Sequence, residues 1–95
     1  MRVSNEITKF ISSIPGSFVP GAEVYLFGSR TNDKAKGGDI DVLILSDKKL
    51  EFKKLSNIRT EFYKRFGYQK LDLVNFTFTD TDPFKSLAMT DAIKL

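Results

Sequence analysis

Two apolar stretches, separated by a short polar excursion, constrain this chain most. The first, Val24-Tyr25-Leu26-Phe27, breaks at Gly28-Ser29-Arg30; the second, Ile40 to Leu45, follows Gly37-Gly38 and carries Asp39 and Asp41 at its start. Side chains on a strand alternate between faces, so Asp39 and Asp41 share one face while Ile40 and Val42 take the other. Two carboxylates side by side repel each other and lose hydration if buried. A divalent cation between them resolves both costs, and magnesium takes oxygen ligands of this kind together with substrate phosphates. Gly28 permits positive φ and a close backbone approach. Ser29 adds a hydroxyl where a following helix would begin, and free N–H groups there favour a phosphate. Each piece alone has a plainer reading, a simple turn for Gly-Ser and a solvated edge or cap for Asp-x-Asp. Together they point to chemistry on a nucleoside triphosphate.

The same residues carry a family resemblance. Gly28-Ser29-Arg30, a spacer, and Gly38-Asp39-Ile40-Asp41 with its aliphatic strand resemble the signature of minimal nucleotidyltransferases, within the DNA polymerase β-like nucleotidyltransferase superfamily. The resemblance runs from about Val24 to Phe76. The spacer of nine residues between Ser29 and Asp39 is one shorter than the usual pattern. Asp33 stands where glycine is common, and Gly38 where serine often precedes the first aspartate.

Composition narrows the chemistry. The chain of 95 residues is 41% hydrophobic and 28% charged, as expected of one folded domain spanning residues 1–95. It has no cysteine and no histidine, which excludes disulfides, thiolate or imidazole ligands, and Cys or His catalysis. The net charge of +3 tolerates a polyanionic ligand but is not the basic stripe of a dedicated nucleic-acid binder, so nucleic acid is not the expected partner. No apolar run approaches about 18 residues and no signal-peptide pattern is present, so no membrane association is expected and the chain is read as cytoplasmic.

Along the chain, Val3, Ile7, Phe10, Ile11 and Ile14 predict an amphipathic helix, with Ser4 as N-cap and Pro15-Gly16 as its stop. Ala22 to Phe27 and Asp39 to Leu45 read as strands. Ser46 or Asp47 is expected to cap a long helix with the stripe Phe52, Leu55, Ile58, Phe62 and Phe66, ended by Gly67. Lys53, Lys54, Arg59 and Lys64 lie on its solvated side. Tyr68 to Phe76 reads as a third, central strand, interrupted by Asp72. A buried carboxylate there requires a partner, either a lysine such as Lys70 or a shared cation. After a connection from Asn75 to Asp82, Asp82-Pro83 predicts a last helix with Phe84, Leu87, Ala88 and Ile93 facing inward.

This order gives an α/β domain with a small sheet covered by helices. The resemblance implies more: a mixed sheet and the palm-like nucleotidyltransferase fold. It implies catalytic and metal-binding roles for Asp39, Asp41 and Asp72, with two Mg²⁺ ions, and nucleotide binding by Gly28, Ser29 and Arg30. The implied reaction moves a nucleoside monophosphate, AMP from ATP or its equivalent from another triphosphate, onto a hydroxyl. The implied partner is a small helical HEPN-type protein, with the chain as antitoxin modifying a tyrosine of the toxin. A catalytically silent nucleotide-binding subunit is the alternative, and assembly as a homo-oligomer is left open.

Overall fold

The structure is a computed structural model that describes residues 4–28, 40–67 and 69–95. Helix α1 spans Asn5–Ser12, and its N-cap Ser4 accepts a hydrogen bond from the Ile7 amide at 3.3 Å. Ile7, Phe10 and Ile11 are buried along one stripe. The helix ends earlier than Pro15-Gly16, at Ser13, whose hydroxyl donates to the Phe10 carbonyl at 2.6 Å. Pro15 instead sits in the first turn of a second short helix, α2 (Ile14–Ser17), where its missing N–H costs nothing.

Among the described residues four strands form one mixed sheet: β1 (Glu23–Phe27), β2 (Ile40–Ser46), β3 (Leu71–Thr77) and β4 (Ile93–Lys94), in the order β3-β2-β1-β4. β1 and β2 are antiparallel, from Glu23↔Leu45 to Phe27↔Asp41. β2 and β3 are parallel, from Ile40↔Leu71 to Ser46↔Thr77. β4 pairs antiparallel with β1 through Tyr25↔Lys94 and Leu26↔Ile93.

Strand β3 therefore lies at the sheet's border and not at its centre, and it runs to Thr77. Asn75, read both within the third strand and at the head of the connection that follows, belongs to the strand, where every polar group of its side chain finds a partner. Its Nδ2 donates to the Ile44 carbonyl and to Ser46 Oγ, each at 3.0 Å, and its Oδ1 accepts from the Leu50 amide at 2.8 Å. A buried amide is tolerated when it is satisfied in this way.

The two faces of the sheet carry separate cores. Val24, Leu26, Val42, Ile44, Leu71 and Leu73 face α1, α2 and the long helix α3 (Phe52–Phe66). Phe27, Leu43, Leu45 and Phe76 face α4 (Pro83–Met89) through Ala88. Ile58 and Phe62 of α3 are fully buried, whereas Phe52, at the head of the expected stripe, is 78% exposed because it occupies the first turn.

Neither Ser46 nor Asp47 caps α3. Ser46 ends β2 and donates to the Lys48 carbonyl at 2.7 Å, and Glu51 takes the N-cap position without a side-chain bond. Gly67 closes the helix at φ 72°, as its position predicts. The Asp82 carboxylate accepts from the Phe84 amide at 2.8 Å, starting α4 as expected. The helix stops at Met89, and Ile93 joins β4 because pairing with β1 satisfies its backbone. No described helix is long and apolar enough to cross a membrane.

Candidate active site

The pairing register carries the site. Asp41 of β2 lies opposite Phe27 of β1 on one side and Asp72 of β3 on the other. All three occupy one row across the sheet, on the face that bears Leu43, Leu45 and Phe76. Parallel neighbours in register stand about 5 Å apart, so Asp41 and Asp72 present two like charges within reach of a single cation. Both are half-buried. Lys70 does not neutralise Asp72: among the described residues, Asp72 makes no ion pair.

Gly28, directly after β1, completes this corner. Its φ is 78°, and a Cβ at this position would overlap Oδ2 of Asp41, with Cγ at 3.2 Å. The glycine is required twice, by its backbone conformation and by the carboxylate against it. Of the six residues that the sequence singles out, Gly28, Asp41 and Asp72 come together on one sheet corner. Ser29, Arg30 and Asp39 lie outside the described residues, as does the polar excursion between β1 and β2. Among the described residues no group of three acidic side chains forms a metal site.

Two carboxylates on adjacent strands beside a glycine corner are hard oxygen donors suited to Mg²⁺. Nothing in this part of the sheet supplies a thiolate or an imidazole, since the chain has none.

The sequence missed a cavity beside Gly28. It measures about 250 Å³ and is lined by Phe27, Gly28, Phe84, Leu87, Ala88 and Asp91. The sequence has Phe84, Leu87, Ala88 and Ile93 facing inward, but Phe84 is 46%, Leu87 71% and Ile93 36% exposed. Only Ala88 of these is buried; Phe84 keeps ring contacts with Phe27 and Phe76 at 6.3 and 6.2 Å, and the expected inward packing is corrected for Leu87 and Ile93. A larger cavity, about 400 Å³, lies at the opposite end of β2, among Lys48, Lys49, Lys53 and Lys54. It has no carboxylate pair, and Lys49 is already engaged with the Asn75 carbonyl at 2.6 Å. The smaller cavity adjoins the acidic corner.

At the other edge of the sheet, Glu23 accepts from Tyr25 Oη at 2.8 Å and from Lys94 Nζ at 3.2 Å. Those two donors lower the Glu23 pKa. Burial, then the hydrogen bond to Glu23, raises that of Tyr25. This cluster clasps β4 to β1.

Comparisons with known proteins agree with this architecture. The family model described as "Polymerase beta, Nucleotidyltransferase" matches residues 20–95. Among curated proteins none matches. Several solved structures resemble the fold, among them three toxin–antitoxin structures. A toxin–antitoxin MntA–HpeT complex, with two aspartates changed to glutamate, aligns with a TM-score of 0.67 and 17% identity, over 95% of this chain and 69% of that one. A second MntA–HpeT complex, a tyrosine-to-alanine variant, gives 0.64 and 20%, over 96% and 68%. A tri-AMPylated Shewanella oneidensis HEPN toxin in complex with an MNT antitoxin gives 0.62 and 20%, over 95% and 66%. The mixed sheet, its flanking helices and the matched profile together assign this chain to the polymerase β nucleotidyltransferase family.

Proposed function

We propose that the chain is a Mg²⁺-dependent nucleotidyltransferase that moves AMP from ATP onto a hydroxyl of a HEPN-type partner, acting as the antitoxin of a toxin–antitoxin pair. The observation that carries this reading is the register Asp41↔Asp72, two carboxylates on one face beside Gly28. The AMPylated HEPN toxin bound to an MNT antitoxin, a fold neighbour, supports the choice of AMP and of partner.

Asp39, Asp41 and Asp72 would hold the metal. When bound, such ions lower the pKa of an attacking hydroxyl and neutralise charge on the triphosphate. Gly28 and Ser29 bind the β and γ phosphates through backbone N–H groups and the hydroxyl, with Arg30 adding a positive charge. The acceptor oxygen forms a bond to the α-phosphorus, the bond to the bridging oxygen of the β-phosphate breaks, and pyrophosphate leaves. The hydroxyl proton passes to solvent or to a carboxylate, since the chain has no histidine to take it. Positioning and charge stabilisation account for the rate.

The test is incubation with ATP labelled at the α-phosphate, Mg²⁺ and a HEPN-type protein. Label on a partner tyrosine, lost with Asp41→Asn, is the expected result. Label confined to free nucleotide contradicts the reading.

A further inference from the structure

The cavity between α4 and the end of β1 has a composition that the proposed reaction does not by itself explain. Its walls are apolar and partly aromatic: Phe27 and Phe84 meet edge to face, with centroids 6.3 Å apart at 83°. One carboxylate, Asp91, stands at its rim, and among the described residues it makes no hydrogen bond or ion pair. Gly28 is shared: it lines this cavity and also abuts the Asp41 carboxylate. A ligand anchored by its phosphates at the Gly28–Asp41 corner therefore has an apolar cavity with one exposed aromatic ring, Phe84, directly adjoining.

Resting on the nucleotidyl-transfer reading, we propose that this cavity receives the base of the nucleotide, an amine-bearing purine whose exocyclic N–H₂ group donates to Asp91. The exposed Phe84 ring offers any base a surface to stack on. The carboxylate makes the choice, because it accepts from the amine of adenine or guanine. Uracil turns two carbonyl oxygens around its single N–H and is repelled. The volume of about 250 Å³ accommodates a two-ring base. A purely apolar side chain from a partner protein is the poorer occupant, since it would strip water from Asp91 and return no hydrogen bond.

Dissociation constants for Mg²⁺ with ATP, GTP, UTP and inorganic tripolyphosphate test the proposal, on the wild-type chain and on Asp91→Ala and Leu87→Ala. Asp91 and Leu87 are both exposed, so the variants retain the fold. Wild type is expected to prefer ATP over UTP by about tenfold, the scale of one charge-assisted hydrogen bond. Asp91→Ala should erase that preference and Leu87→Ala should weaken both nucleotides. Tripolyphosphate affinity should stay unchanged in each. Tripolyphosphate binding with no choice among bases in wild type, or with the wild-type preference kept in Asp91→Ala, overturns the cavity assignment and leaves the phosphate site standing. Base discrimination without tripolyphosphate binding supports the cavity and faults the phosphate site. Binding of none of the ligands overturns both.

Discussion

The carboxylate of Asp41 fills the space that any side chain at position 28 would need. The overlap with Oδ2, and the 3.2 and 3.4 Å separations to Cγ and Cβ, leave no room for a methyl group there. The chain end of β1 and the acidic row of β2 and β3 are thus built against each other.

Replacing Gly28 separates local strain from damage to the site. Gly28→Ala forces a left-handed backbone onto an L-residue, about 1–2 kcal/mol, and displaces Asp41 as well. Gly67→Ala, at φ 72° and ψ −154°, has nothing within 4 Å of the added Cβ, so it incurs a backbone cost of about 1–3 kcal/mol and leaves the site untouched. Urea unfolding should find both variants less stable than wild type. Nucleotidyl transfer should fall in Gly28→Ala and persist in Gly67→Ala.

Asn75 ties β3 to β2 and to the entry of α3. Asn75→Leu leaves the Leu50 amide without its acceptor and removes the donor to Ser46 Oγ and the Ile44 carbonyl, in a spot where Asn75 is only 4% exposed. A loss of about 3 kcal/mol is expected, read as a lower urea midpoint at unchanged slope. A loss below about 1 kcal/mol would mean that water replaces the network.

The Glu23–Tyr25–Lys94 clasp makes the β1–β4 edge sensitive to pH in two windows. The Glu23 pKa is lowered by its bonds to Tyr25 and Lys94, so its stabilisation is present above the ordinary carboxylate range and disappears as pH falls through the lowered value. The Tyr25 pKa is raised, chiefly by burial, so its stabilisation is full below the ordinary phenol range and disappears as pH rises through the raised value. The phenolate absorbance difference between wild type and Tyr25→Phe should titrate later than a free tyrosine. Glu23→Gln should bring it back only in part, because burial remains.

Much of this was legible in advance. The two strands flanking Gly28 and Asp41, the Ser4 and Asp82 caps and the Gly67 stop each follow from local chemistry that only a few neighbouring residues determine. The failures were tertiary. Asn75 sits at the overlap of strand and connection in the sequence, and only its bonds to Ile44, Ser46 and Leu50 fix it in the strand. Ser46 looks like a helix cap until β3 pairs with it through Thr77. Phe84 and Leu87 have core spacing, yet only the Phe84 ring reaches the sheet, at Phe27 and Phe76, while Leu87 stays exposed beside a cavity. The register Asp41↔Asp72 depends on a crossover through α3, and no spacing in the sequence fixes it.

The most direct test of the account is thermal unfolding of wild type and Asp72→Asn, with and without Mg²⁺ and ATP. Without metal, Asp72→Asn removes one of two like charges on facing strands and should be slightly more stable, by about 1 kcal/mol or less. With Mg²⁺ and ATP, the wild-type midpoint should rise and that of Asp72→Asn should stay in place. An equal rise in both proteins would contradict the claim that Asp41 and Asp72 share a cation.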